Sequence, residues 1–127
     1  WLASAPPMNA PVAMALVVED DAALRMLCRV NLELSGFVVR EAGDVESAEA
    51  ALFEERPDVV FLDVHVNGRT TGELLTRLRR DGIPVAIVSG STDIDVLRDG
   101  ADAVLPKPFA PQELVDTALR LARVRHL

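Results

Sequence analysis

Val59-Val60-Phe61-Leu62-Asp63 decides the fold class of this 127-residue chain. Four apolar residues, three of them β-branched or aromatic, end on one carboxylate, and Asn67-Gly68 supplies a turn signal shortly after. A short continuous apolar run of this kind reads as a strand buried on both faces, as in a parallel sheet. In open α/β sheets the ligand crevice lies beyond the carboxyl ends of the strands. Asp63 therefore stands where chemistry would take place. An aspartate at a strand end is by itself more often a turn or cap residue, so the other strand ends decide its meaning.

Arg56-Pro57-Asp58 opens this strand and ends a helix from Val45 to about Glu55, capped by Asp44. Before that helix, Phe37 to Ala42 reads as a strand. Before it again, a helix from Ala22 to Ser35 carries Leu24, Leu27, Cys28, Val30 and Leu34 as one broad apolar face. Asp21 is its candidate N-cap, and Gly36 occupies the place of a left-handed C-terminal residue. Val12 to Val18 is another buried strand, running into Glu19-Asp20-Asp21. Residues 1–11, rich in Ala and Pro, read as an unstructured tail or a residue of cloning.

On the other side of Asp63 a loop leads to a helix around Thr71 to Arg80, stopped by Asp81-Gly82. Ile83 to Val88 is a buried strand ending in Ser89-Gly90. Asp93 to Asp99 leaves room for only a short helix. Ala103-Val104-Leu105 is a brief strand before Pro106-Lys107-Pro108-Phe109, and Pro111 opens a last helix with Leu114, Val115, Ala118, Leu121 and Ala122 inward. Five strands alternating with five helices predict an α/β domain over residues 12–127. Its class is the flavodoxin-like doubly wound five-stranded parallel sheet, order 2-1-3-4-5, with helices on both faces and a shortened fourth helix.

Composition narrows the functional classes. The net charge of -7 and pI near 4.7 lack the basic footprint of a nucleic-acid surface. The longest clear apolar run, Val12 to Val18, is too short to span a bilayer, and no signal peptide is read at the N-terminus. Cys28, the single cysteine, falls on a helical apolar face and reads as a buried structural thiol in a reducing cytoplasm.

The strand ends form one site. The first delivers Glu19, Asp20 and Asp21, the third Asp63, the fourth Ser89, and the fifth Lys107. Neighbouring strands lie about 4.8 Å apart, so Asp63 acquires carboxylates on one side, a hydroxyl on the other, and a lysine from two strands away. Clustered carboxylates do not all ionise cheaply unless a cation joins them. An all-oxygen donor set suits Mg²⁺ (or Mn²⁺). A carboxylate beside such a cation can attack phosphorus to give an aspartyl phosphate, with Lys107 and the Ser89 hydroxyl stabilising the phosphoryl oxygens. Each residue alone also has a bland reading: Glu19 to Asp21 as a solvated helix start, Ser89 as a turn residue, Lys107 as a surface lysine. Their joint placement at strands that meet favours the site.

Leu16-Val17-Val18-Glu19-Asp20-Asp21, Val60-Phe61-Leu62-Asp63, Val88-Ser89-Gly90 and Leu105-Pro106-Lys107-Pro108-Phe109 together resemble the receiver domains of two-component signalling, from about Ala15 to Val124. The resemblance implies a regulatory phosphoacceptor and not an enzyme beyond self-catalysed phosphotransfer and autodephosphorylation. Asp63 would accept a phosphoryl group from a histidine kinase or histidine phosphotransfer protein. Asp20 would ligate Mg²⁺ directly, Glu19 mainly through water, and the metal would also take the backbone carbonyl of His65, whose side chain would tune phosphate lifetime. Ser89 would bind the phosphoryl group, Lys107 would pair with it, and the Lys107-Pro108 bond would be cis. Asp21 is left a supporting or capping role. Direct binding to nucleic acid or membrane is not implied; the location is cytoplasmic, the output partner is unknown, and a homodimer is possible.

The chain departs from the family after Asp63. Val66-Asn67 stands where relatives carry an apolar-Pro pair, and Gly72 comes about one residue late. The segment between Ser89 and Lys107 is about one helical turn short, and Val104 replaces a common aromatic, so coupling through an aromatic there cannot operate. Rival classes fit the residues less well, a flavin-binding flavodoxin relative among them, since no hydroxyl- and Gly-rich phosphate loop follows the first strand. A non-phosphorylated pseudo-receiver, acting as a protein-interaction module, would lack one of Asp20, Asp63, Ser89 or Lys107, and none is missing. A phosphohydrolase would place its nucleophile on the first strand in an Asp-x-Asp arrangement, which is absent.

Overall fold

A computed structural model describes residues 13–90 and 100–125. The expected tail over residues 1–11 and the expected short helix over Asp93 to Asp99 lie outside the described residues. In chain order the elements are β1 (Met14–Val18), α1 (Ala22–Leu34), β2 (Val38–Ala42), α2 (Val45–Glu54), β3 (Val59–Asp63), β4 (His65–Val66), β5 (Arg69–Thr70), α3 (Gly72–Arg80), β6 (Val85–Ser89), β7 (Ala103–Pro106) and α4 (Pro111–Arg125).

The main sheet has the order β2-β1-β3-β6-β7, all parallel. Setting aside the two-residue strands β4 and β5, this is the expected 2-1-3-4-5. The continuous apolar runs have the predicted cause: β1, β3 and β6 are buried at every position. Strand alternation sorts their side chains into two cores. Ala15, Val17, Val59, Phe61, Ala86 and Val88 face α1 and α4, whereas Leu16, Val18, Val60, Leu62, Val85 and Ile87 face α2 and α3.

At the amino ends of the strands two aspartates act as staples. Met14 N–H donates to Asp58 Oδ2 and Val85 N–H to Asp102 Oδ2, both at 2.8 Å, while the Asp58 and Asp102 N–H groups donate back to Met14 O and Val85 O. The rim opposite the site thus spends its carboxylates on backbone donors.

One expectation is corrected in α1. Its buried residues are Cys28 and Leu32, with Leu24 packed beside them, a stripe at i, i+4 and i+8. Val30 and Leu34, expected on the apolar face, are 39% and 81% exposed, and Leu27 is also exposed. The reason is geometric: two residues on a helix are about 200° apart, so residues 30 and 34 project opposite 28 and 32. The predicted caps hold. Asp21 accepts from the Ala23 and Leu24 N–H groups, Asp44 from Ser47 N–H, and Gly36 has φ 98°. The segment after Asp63, expected as a loop, is an antiparallel hairpin of β4 and β5 closed by Asn67-Gly68.

Candidate functional site

The alternation that builds the core also aims the site. Asp63 continues the parity of Val59 and Phe61, and Glu19 that of Ala15 and Val17. Both are buried despite their charge. Lys107, just beyond β7, reaches between them: its Nζ lies 2.8 Å from Glu19 Oε1 and 2.9 Å from Asp63 Oδ2. Its backbone N–H donates to Ser89 O at 3.0 Å, which anchors the lysine to the end of β6. The Lys107-Pro108 bond is cis.

Glu19 is held on both oxygens, since Oε2 accepts from Asp21 N–H at 3.0 Å. Burial pushes its carboxyl above the usual range, with the Asp63 charge adding to that effect and Lys107 opposing it. For Lys107 burial acts downward, but the hydrogen bonds to Glu19 and Asp63 outweigh it and raise the ammonium. Asp20 is exposed and lies low, chiefly because Asn67 N–H donates to its Oδ2 at 2.8 Å.

Glu19, Asp20 and Asp63 each bring a carboxylate oxygen within 4.8 Å of the others. Three hard oxygen donors converging at this spacing fit a divalent cation such as Mg²⁺. Asp21 stands apart as the α1 cap. Ser89 is buried at the end of β6, one residue past Val88, the register partner of Asp63. His65 is half-buried, and its N–H lies 3.4 Å from Asp63 Oδ1, a long contact.

Three contributors were not read from the sequence. Thr71 is buried, and its Oγ1 lies 2.5 Å from Asp63 O and 3.1 Å from Val64 O. It closes the hairpin onto β3 instead of capping α3, whose N-cap position it occupies without a side-chain cap bond. Arg25 reaches back from α1 to donate to Glu19 O at 2.7 Å and pairs with Glu41. Asn67, besides its bond to Asp20, donates through its side-chain amide to Gly43 O at 3.3 Å. Asn67-Gly68 was legible as a turn; its contact with Asp20 was not, because the donor is main chain. Beside Lys107 lies an open groove of about 420 Å³, lined by Asp21, Leu24, Leu27, Lys107, Pro108 and Phe109.

The chain is similar to known proteins in sequence and in fold. The response regulator receiver domain pattern matches residues 15–119. The phosphate regulon transcriptional regulatory protein PhoB of Pseudomonas aeruginosa is 37% identical over 108 residues, covering 79% of this chain and 47% of PhoB. The DNA-binding response regulator MtrA of Mycolicibacterium paratuberculosis is 40% identical over 115 residues, covering 87% of this chain and 48% of MtrA. The chain thus spans about half the length of these curated relatives. Among solved structures, the receiver domain of NtrX from Brucella abortus superposes with a TM-score of 0.78 at 32% identity, covering 86% of this chain and 98% of that one. A CheY-like receiver domain protein from Methanospirillum hungatei gives 0.83 at 25% identity, covering 91% and 98%. With the family pattern running from β1 into α4 and the same fold in these relatives, the chain belongs to the response regulator receiver domain family of two-component signalling.

Proposed function

We propose that Asp63 accepts a phosphoryl group from a phosphohistidine of a histidine kinase or phosphotransfer protein, and that the modified domain changes its binding to an output partner. The observation that carries this reading is the bridge of Lys107 Nζ between Glu19 and Asp63, with Asp20 alongside. One cation already touches the nucleophile, and three carboxylates offer a place for another. An Asp63 oxygen attacks phosphorus, the P–N bond of the donor breaks, and its electron pair returns to the imidazole. Mg²⁺ bound by Asp20 and Asp63, by Glu19 through water and by the His65 carbonyl would neutralise charge on the phosphoryl oxygens. Lys107 supplies a second positive charge, and the Ser89 hydroxyl donates to a further oxygen.

No described helix is long and apolar enough to cross a membrane. A cytoplasmic location is the reading that goes with phosphotransfer from a histidine kinase and with a buried, unpaired cysteine. The names of PhoB and MtrA point to DNA regulation by those proteins. At net charge -7 this chain is suited to regulating such an output, not to touching DNA itself. The test is incubation with acetyl phosphate, or with beryllofluoride, and Mg²⁺. Wild type should gain one phosphoryl group by intact mass, or shift its amide spectrum, while Asp63→Asn does neither. An unmodified wild type leaves the pseudo-receiver reading in its place.

A further inference from the structure

The turn of the β4–β5 hairpin touches the acidic cluster through one atom. Asn67 has φ 53° and Gly68 φ 76°, the pair of positive values that a two-residue type I′ hairpin turn requires. This backbone aims the Asn67 N–H at Asp20 Oδ2, 2.8 Å away. The turn is braced on α2, where Arg69 pairs with Glu46, and on the β2–α2 connection through Gly43 O. The neighbouring carboxylates are also partly committed: Glu19 on both oxygens, Asp63 through Oδ2. Asp20 is the exposed member of the cluster. Without the Asn67 bond its side chain would be able to turn both oxygens toward a cation.

We infer that the Asn67 N–H restricts Asp20 to one-oxygen ligation, which makes the hairpin turn a determinant of cation choice, favouring Mg²⁺ over Ca²⁺. The inference rests on the divalent-cation reading given above. Mg²⁺ demands tight octahedral geometry, keeps several waters and is content with one or two carboxylates, whereas Ca²⁺ gathers about six to eight oxygens and readily takes a carboxylate by both. Asn67 is a positioning residue in this scheme; it acts through Asp20.

The test is calorimetric titration of the whole chain with MgCl₂ and with CaCl₂. Asn67→Pro removes the N–H and fixes φ near -65°. Asn67→Gly keeps the N–H, adopts positive φ freely and loses only the bond to Gly43 O. Wild type and Asn67→Gly should share the same Mg²⁺-to-Ca²⁺ affinity ratio to within about twofold, and Asn67→Pro should lower it at least about tenfold, the equivalent of one hydrogen bond to a charged group. Should Asn67→Pro not fold, Asn67→Val takes its place, because a β-branched residue resists positive φ; its ratio should lie below that of Asn67→Gly. An unchanged ratio in the variant that disrupts the turn overturns the inference, as does an equal loss in Asn67→Gly. Absence of binding by wild type would overturn the cation reading itself, a result distinct from either.

Discussion

Thr71 carries the site's geometry through a single hydroxyl. Buried under the hairpin, it serves Asp63 O and Val64 O at the point where β3 gives way to β4. Thr71→Val keeps the shape and deletes the donor, so it should destabilise the fold by about 1–3 kcal/mol, with Thr71→Ser losing less. Urea unfolding of the three proteins checks this. Nothing in the sequence pattern announces such a role, since a threonine before a helix reads as a cap. Asp63, Glu19 and Lys107 were legible because each is a chemically distinctive residue at the end of a recognisable strand. Cys28 was legible for a plainer reason: a lone cysteine among apolar helical residues is most often buried, and here it is. Burial, with the Glu19 charge adding, pushes its thiol up to about 11. At pH 8 it should therefore resist iodoacetamide in the folded protein and react on unfolding in urea, as mass spectrometry would read.

At the scale of the element, caps were easier to read than faces. Asp44 stands before α2 in extended backbone and accepts from Ser47 N–H at 2.7 Å. Ser47, through its hydroxyl and its N–H, holds the Asp44 carboxyl below its ordinary 3.8. A depressed carboxyl contributes stability that is present above the unfolded value and lost as pH falls through the folded one. Wild type should thus exceed Asp44→Ala in stability at pH 7, and the gap should close only below pH 3.8. Urea midpoints of the two proteins between pH 7 and pH 2.5 decide it; a gap that persists in acid would mean that the carboxylate's charge is not what caps α2. The face of α1 was harder, because Met26, Leu27, Val30 and Leu34 place apolar residues around the exposed side as well. When a helix is apolar on several sides, only the sheet beneath it selects the buried stripe, and it selected Leu24, Cys28 and Leu32. The hairpin after Asp63 was half legible. Asn67-Gly68 signals a turn, but two-residue strands are too short to show a period.

For the whole molecule, topology followed from the sequence because a parallel sheet covered on both faces writes unbroken apolar runs, and three such runs end in Glu19, Asp63 and Ser89. The same topology gathers charge. A chain of net charge -7 concentrates three carboxylates at one rim of its sheet, with Lys107 bridging two of them. Gathering like charges at one rim carries an electrostatic cost, and a cation seated there would lower it. A ligand that binds only the folded state stabilises it by mass action, by about 2.7 kcal/mol at a hundred times its Kd. For a domain of this size that is a rise of roughly 10 °C in Tm. Mg²⁺ should raise the Tm of wild type accordingly, and EDTA should reverse it. Asp20→Asn, which removes the exposed carboxylate of the cluster and leaves the Lys107 bridge intact, should abolish most of the rise. NaCl at matched ionic strength separates the two physical causes: general screening of the acidic surface would lift both proteins equally, whereas a cation seated among Glu19, Asp20 and Asp63 lifts only the one that retains all three.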